Sequence, residues 1–379
     1  MNPEPGAGPG FGRCELLRGD RQTCRRGPKL IAVTVALLVL LVSSPWRLRA
    51  ATGPYPQSKV ITGIVFHEET LVRKAPGSDI WSCTWAANDQ LYATWGDGGG
   101  FGGTDDKGRV SMGVATLTGG PDNWQGANVW GGWNPVSPQR TIEGKGTVTA
   151  VRNLLYLFVS EQGKWDRCRL WRSADYGLNW EDRGWLFPQS HKAFAFPAIV
   201  EFGCAQDLNH SGWIYGLSDN DTHRLNDGRL YLFRVRTRGI EKLANYEYFA
   251  GTPERPKWTR DFEQKAPVFQ NASGISWGTT CVYHPGTGRF LLAVGIHEQS
   301  GDWGLYEGEH PWGPWRTVCY GNNFPAWTYA PAEKNRPAYL HTFPSKWMSR
   351  DGRTVWCVFD RGDHFNLARC TLKLSKDKN

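Results

Sequence analysis

The sequence predicts an all-β fold, a five-bladed β-propeller preceded by an N-terminal targeting or anchor segment, and three observations lead there. A short apolar run ending in an acid occurs five times, over Leu91–Asp97, Leu155–Glu161, Trp213–Asp219, Phe290–Glu298 and Val355–Asp360. A second strand-like run follows each one: Arg109–Ala115, Cys168–Ser173, Arg229–Val235, Trp303–Glu307 and Asn366–Leu372. Units of about 50 to 65 residues with Gly/Asp-rich turns are the mark of strands repeated radially. The composition agrees, with 40% hydrophobic residues, 45 Gly, 23 Pro and 20 Trp and almost no helical period outside the N-terminus.

The chain divides into four stretches. Residues 1–29 are a basic N-terminal region. Residues 30–44 hold the apolar run Leu30–Val42, whose length suits the core of a signal peptide and is short for a membrane span. The expectation is export, with an uncleaved signal anchor as the alternative, because the small-residue cleavage pattern after Val42 is poor. Localisation would then be extracellular or periplasmic, with contact to a membrane only through residues 30–44. Residues 45–57 read as a Pro-containing linker, and residues 58–376 as the propeller. Within it, Val60–Val72 looks like a strand that closes the ring against the last blade.

The net charge of +8 suggests nucleic acid until it is located. Eight basic and three acidic residues fall among the first 50, leaving +3 for the rest. The globular part is therefore nearly balanced and has no basic stripe, which argues against a nucleic-acid partner. Seven cysteines follow the apolar run, an odd number, so pairing in an oxidising compartment would leave at least one thiol. None has zinc spacing. No cofactor is expected. Ser218-Asp219-Asn220-Asp221 offers oxygens to a Ca²⁺ but lacks the ligand spacing of a known loop.

Blade one carries the clearest chemistry. A strand starting at Asp79 turns at Asn88-Asp89 and returns to Asp97, so Asp79 and Asp97 share one end of an antiparallel hairpin. The glycines after Asp97 suggest room for a ligand to approach the backbone. If the strands that end in acids surround one channel, Asp219 and Glu298 join that pair as catalytic candidates. Glu161 and Asp360 then stand on the same face as substrate contacts. Clustered carboxylates over a small hole suit glycosidic bond cleavage. Trp85, Trp95 and Trp277 are candidate stacking platforms for a sugar face, and His341 and Lys346 open the last blade toward the expected acid face. Asp89 reads as a turn residue.

Other motifs read as architecture. Ser173-Ala-Asp175-Tyr-Gly177-Leu-Asn-Trp180 matches the Asp-box turn found between outer strands of sialidase-like propellers. Pro256-Lys-Trp258 and Pro311-Trp312-Gly-Pro-Trp315 look like plugs at outer-strand exits.

The string from Asp79 through Thr84-Trp-Ala-Ala-Asn-Asp89 to Gly96-Asp97-Gly, with Leu230-Tyr-Leu-Phe-Arg-Val235, Tyr246-Glu-Tyr-Phe-Ala-Gly251 and Phe343-Pro-Ser-Lys-Trp347, resembles domain-of-unknown-function family 4185. The resemblance spans most of residues 60 to 375. It implies a five-bladed propeller related to furanosidases, some of whose members are endo-D-arabinanases, and it places the family's first-blade acids at Asp79 and Asp97. The expected function is a secreted or surface-anchored glycoside hydrolase, monomeric, acting on an arabinan-like furanose polysaccharide or oligosaccharide through paired carboxylates. The alternative is a carbohydrate-binding propeller with degenerate acids.

Overall fold

A computed structural model describes residues 53–375, apart from 135–139, 162, 220–226, 276–277, 297–302 and 322–337. The targeting segment at 30–44, the Asn220-Asp221 part of the Ca²⁺ loop, Trp277 and Glu298 lie outside the described residues.

Five antiparallel sheets follow one another along the chain. Blade one holds β3 (Asp79–Trp85), β4 (Leu91–Gly96), β5 (Met112–Thr118) and β6 (Gln125–Trp130). Blade two holds β7 (Lys145–Val151), β8 (Leu154–Ser160), β9 (Cys168–Ser173) and β10 (Glu181–Phe187). In blade three, β11 (Ala198–Ile199), β12 (Trp213–Asp219) and β13 (Arg229–Arg236) continue into β14 (Glu247–Phe249) and β15 (Trp258–Thr259), while β16 (Pro267–Gln270) pairs with β13. Blade four holds β17 (Thr280–His284), β18 (Arg289–Gly295), β19 (Trp303–His310) and β20 (Gly313–Gly321). The last blade joins β21 (Ala338–Thr342), β22 (Thr354–Arg361) and β23 (Phe365–Leu374) to β1 (Ile61–Phe66) and β2 (Val72–Lys74) from the start of the fold. Ile61 pairs with Leu374 and Phe66 with Cys370, so the expected closing strand does close the ring. Closure leaves no open seam at which the two ends of the domain could fray apart.

Each seam between neighbouring blades has its own apolar core, built from the inward positions of alternating strands. Val114 and Leu157 meet between blades one and two, Phe187 and Phe233 between two and three, and Leu217 and Leu292 between three and four. Leu305 and Cys357 meet between four and five, and Trp81 and Phe365 between five and one.

Hydrogen bonds join the inner ends of the blades in ring order. Ser82 and Thr84 hydroxyls accept from Val148 and Ala150 N–H at 3.3 and 2.9 Å. The Thr147 hydroxyl donates to Pro197 C=O at 2.7 Å. Glu201 exchanges backbone bonds with Cys281 and Tyr283, and the Thr280 hydroxyl donates to His341 C=O at 2.5 Å.

The Asp-box behaves as its sequence implies. The Ser173 hydroxyl accepts from Gly177 N–H and Asp175 from Asn179 N–H, tying the β9–β10 turn. Trp258 and Trp312 meet edge to face at 5.8 Å beneath blades three and four, as plugs should. Tyr55 and Gln57, inside the expected linker at 45–57, touch the propeller. Tyr55 packs on Phe269 and Tyr306, its carbonyl accepts from the Thr317 hydroxyl, and Gln57 bridges to Thr317 on blade four. The seven described cysteines are all thiols, five of them buried.

Candidate functional site

Asp79 opens β3 opposite Gly96, the last residue of β4, so the hairpin sets Asp79 and Asp97 side by side as their spacing implies. The group that joins them comes from the next blade. Lys145 opens β7, and its Nζ lies 3.0 Å from Asp79 Oδ1 and 2.8 Å from Asp97 Oδ2. Its side chain is 6% exposed, against 24% for Asp79 and 30% for Asp97. Gly96 makes this approach possible: a Cβ there would fall on Lys145 Nζ and Asp79 Oδ1. Arg109 stands 3.4 Å from Asp97 Oδ2, the oxygen that also meets Lys145.

A second pair of acids arrives from the last blade. Asp360, in β22, is fully buried, and its Oδ2 accepts from Ile80 N–H at 3.4 Å. Asp363 sits in the β22–β23 turn, where Gly362 and Asp363 both have positive φ (63° and 53°) and reverse the chain tightly. Its carbonyl accepts from Gly77 N–H at 2.8 Å, pinning this turn to the entry of β3.

Electrostatics separate these acids. Burial raises the Asp79 carboxyl to about 6; Lys145 opposes that shift, and Asp97 and Asp363 add to it. Burial, then Asp79 and Asp363, hold Asp360 well above the usual carboxylate range, favouring its neutral form. Among the described residues, Asp79, Asp360 and Asp363 are the acids grouped within 4.8 Å of one another, a spacing that could hold a hard cation. Lys145 beside Asp79 and the neutral form of Asp360 lower the negative charge of the same group.

Strand directions fix where the other candidates lie. Asp219 ends β12 on the same face as Asp97 and is buried. Glu161 follows β8 on that face, where it pairs with Lys164 at 3.0 Å and Arg167 at 3.3 Å. Asp360 also lies there, though as a buried neighbour of Asp79 and not as a surface contact. Four expectations need correction. Trp85 pairs with Leu91 at the far end of β3, a strand length from Asp79, and its indole N–H donates to Asp89 at 2.9 Å. Lys346 joins it there, 2.9 Å from Asp89, because the 3-10 turn Ser345–Trp347 follows β21 and so lies at the exit of the inner strand. Trp95 is buried against Gly100 and Gly113 and stacks on Trp81 at 5.5 Å, offering no face to a sugar. His341 is completely buried and stacks on Trp303 at 4.4 Å.

The glycines after Asp97 also serve another purpose. A Cβ on Gly98, Gly99 or Gly100 would strike Gly77, Lys107 or Trp95, so they let the loop pack on itself rather than admit a ligand. Beside that loop, an open cavity of about 500 Å³ reaches Asp97 and is lined by Arg109, Ser111, Arg140, Thr141 and Glu143.

Lys145, Asp363 and Glu201 escaped the sequence reading. Lys145 left one signal, a charged residue between two glycines at the head of the apolar run Thr147–Val151. Glu201 left none. It follows β11 inside the channel, accepting from the Thr84 hydroxyl at 2.9 Å and the Thr149 hydroxyl at 3.1 Å, and burial raises it to about 8. Ile80, Phe196 and Leu340, from blade one, the entry to blade three and blade five, form a small apolar cluster of their own. Ile80 and Leu340 both have positive φ (53° and 45°), an uncommon conformation for a side chain with a Cβ and a strained one for β-branched Ile80.

Solved structures similar to this chain include a thermostable family-43 glycoside hydrolase (13% identity, 80% of this chain and 95% of that one, TM-score 0.45). A GH43_1 enzyme from Xanthomonas citri aligns at 10% identity over 82% and 93% of the two chains, TM-score 0.45. The GH93 α-L-arabinofuranosidase of Fusarium graminearum aligns at 9% identity over 84% and 98%, TM-score 0.38. At these scores the likeness adds nothing to the strand pairing, which establishes the propeller by itself. No curated protein matches the chain in sequence. A family model described as a domain of unknown function, DUF4185, matches residues 147–351, beginning two residues after Lys145 and so leaving the first-blade acids to the geometry above. That match takes in more than half of the sequence, and the chain belongs to the DUF4185 family.

Proposed function

We propose that the protein is an exported glycoside hydrolase acting on a furanose-containing, arabinan-like polysaccharide, with Asp79 as general acid/base and Asp97 as nucleophile. The observation that carries this reading is the sharing of one buried lysine by two carboxyls at the end of a single hairpin. The two oxygens that meet Lys145, Asp79 Oδ1 and Asp97 Oδ2, can be no more than about 5.8 Å apart, which favours the closer spacing of retaining enzymes, roughly 5–5.5 Å.

Asp79, held protonated toward neutral pH by burial, gives its proton to the glycosidic oxygen as the bond to the anomeric carbon breaks. Asp97 oxygen forms a bond to that carbon from the other side. In the second half, Asp79, now a carboxylate, takes a proton from water as the water oxygen displaces Asp97. Lys145 fixes both carboxyls against rotation, and the Arg109, Ser111, Arg140 and Glu143 side chains beside Asp97 offer donors and acceptors to neighbouring sugar hydroxyls. The furanose preference comes from the family resemblance, and export from the apolar run at 30–44.

The test is incubation of the purified protein with arabinans and other furanose polymers. Release of oligosaccharides whose anomeric configuration, followed by proton NMR, matches that of the substrate is the expected result. Binding of polymer without release would replace the hydrolase with a carbohydrate-binding propeller, and inversion would remove Asp97 as nucleophile.

A further inference from the structure

On the face opposite the acids, the ring gathers basic side chains that the sequence keeps far apart. β7 runs from Lys145 on the acid face to Val151, so Arg152, which follows it, stands a strand length away, roughly 20 Å. β13 ends on that opposite face too, at Arg236, and the segment leading on to β14 carries Arg238 and Lys242. Between these segments of blades two and three lies a cavity of about 440 Å³, whose charged lining is Arg152, Arg238, Lys242 and Glu241.

Arg152, Arg238 and Lys242 are exposed, and among the described residues none of them has an ion-pair partner. Glu241 is held from outside the cavity, with Arg172 3.0 Å and Arg183 2.7 Å from its oxygens. Three cations and one carboxylate leave +2 within the lining. Like charges on an open surface are usually just solvated and screened. Two features set these apart. They surround a concave space, where low-dielectric walls concentrate their field on whatever enters. Arg152 also stands where its backbone disfavours it, as the first of the two residues joining β7 to β8, with φ at 56°. Two-residue hairpin turns place Gly, Asn or Asp at such a position. A long side chain persists there only where the surroundings hold it, and Arg152 N–H is held by Ala205 C=O at 3.2 Å.

We propose that this cavity binds a phosphate monoester carried by a small sugar, with Arg152, Arg238 and Lys242 around the phosphoryl group. A monoester bears a charge of about −1.5 to −2 near neutral pH and three strong acceptor oxygens. That matches the lining in charge, and two guanidinium forks with one ammonium match it in donors. A lone carboxylate would leave one positive charge unanswered. The volume is that of a small-molecule site, and three charges around one hollow do not form the stripe along which a nucleic-acid backbone lies. For the sugar, the lining adds the Thr237 hydroxyl, the amide oxygen of Asn245, whose nitrogen donates to Gly239 C=O at 3.1 Å, and apolar surface from Leu154. The site lies apart from Asp79 and Asp97 and does not depend on the hydrolase reading.

The experiment titrates full-length protein with glucose 6-phosphate, inorganic phosphate, glucuronate and glucose at one ionic strength, by calorimetry. Glucose 6-phosphate should bind most tightly, inorganic phosphate less so, glucuronate more weakly still, and glucose not measurably. Arg152→Gln combined with Arg238→Gln should weaken glucose 6-phosphate by about tenfold or more, as loss of two charged hydrogen bonds does, and raising salt should weaken it in the wild type. Arg350→Gln, an exposed arginine of the last blade, should leave binding unchanged. If Arg152→Gln does not fold, Arg238→Gln with Lys242→Gln on the connecting segment decides, with the same loss expected. Absence of phosphate binding, or binding equal in the folded variants and the wild type, overturns the proposal. So does glucuronate binding as tightly as glucose 6-phosphate, or a short DNA duplex displacing it from the same residues. Hydrolysis of a furanose polymer, found or not, leaves this result as it is.

Discussion

The two ends of strand β3 carry the same pair of groups in opposite circumstances. At one end Asp79 meets Lys145 at 3.0 Å; at the other Asp89 meets Lys346 at 2.9 Å. Both aspartates have a lysine amine in contact, yet their carboxyls move in opposite directions. Asp89, with its side chain 74% exposed, is pulled below its ordinary value by the Lys346 hydrogen bond. Asp79 rises to about 6 because burial outweighs Lys145 and because Asp97 and Asp363 stand close. A partner sets the direction of a shift only where solvent still carries most of the charge; under burial the surroundings decide. That difference leaves one end of the strand with a carboxyl that keeps its proton toward neutral pH and the other with a surface ion pair.

The largest test of this contrast is catalytic. Asp97→Asn should cut hydrolysis of a furanose polymer by about 10⁴-fold or more, as loss of a nucleophile does, while Asp89→Asn leaves it within twofold, measured as initial rates on the same substrate. Retained activity in Asp97→Asn would remove that residue from the mechanism.

Next comes the lysine. Lys145→Met leaves two carboxyls facing one another without the buried ammonium between them, and unfolding in urea should show a loss of about 3–5 kcal/mol. An intact stability would mean that one of the acids takes up a proton at little cost.

Stability against pH sharpens the comparison further. The Asp79 carboxyl changes from 3.8 in the unfolded chain to about 6 in the fold, so the fold favours the protonated form. Its contribution is complete below pH 3.8 and is lost as pH rises through 6. Asp79→Asn stays neutral throughout. With a chelator present, the variant should therefore gain on the wild type by on the order of 2 kcal/mol between pH 4 and pH 7. A flat difference across that window would mean that Asp79 is not raised.

The smallest effect belongs to the far end. Lys346→Ala breaks a pair whose acid lies mostly in water, and a loss under about 1 kcal/mol is expected, falling further in 1 M salt. A larger loss would show that Lys346 supports Trp85 through packing.

Much of this is legible in the sequence alone. Period and turn chemistry are local properties, so the five units, the turn at Asn88-Asp89, the Asp-box at Ser173–Trp180 and the closing strand near Ile61 could all be read from the chain. Alternation along an antiparallel hairpin also put Asp79 and Asp97 at one end. The same reasoning failed for Trp85, Lys346 and His341, because a strand end has to be assigned to a face and a side chain to the core or solvent. Trp95 looked like a platform for the reason that makes it a core residue: a large ring on an inner blade, covered by glycines whose lack of Cβ admits it.

By itself, then, the sequence determined the number of blades, the order of strands and the pairing of two acids within one hairpin, because each depends on residues close together along the chain. Only the tertiary structure decided what those acids meet. Lys145 is 66 residues from Asp79, and Asp360 acts on Ile80 across 280, distances over which no local pattern reports contact. Closing the ring brings the last blade against the first, and that seam sets both the burial of Asp79 and the charge around it.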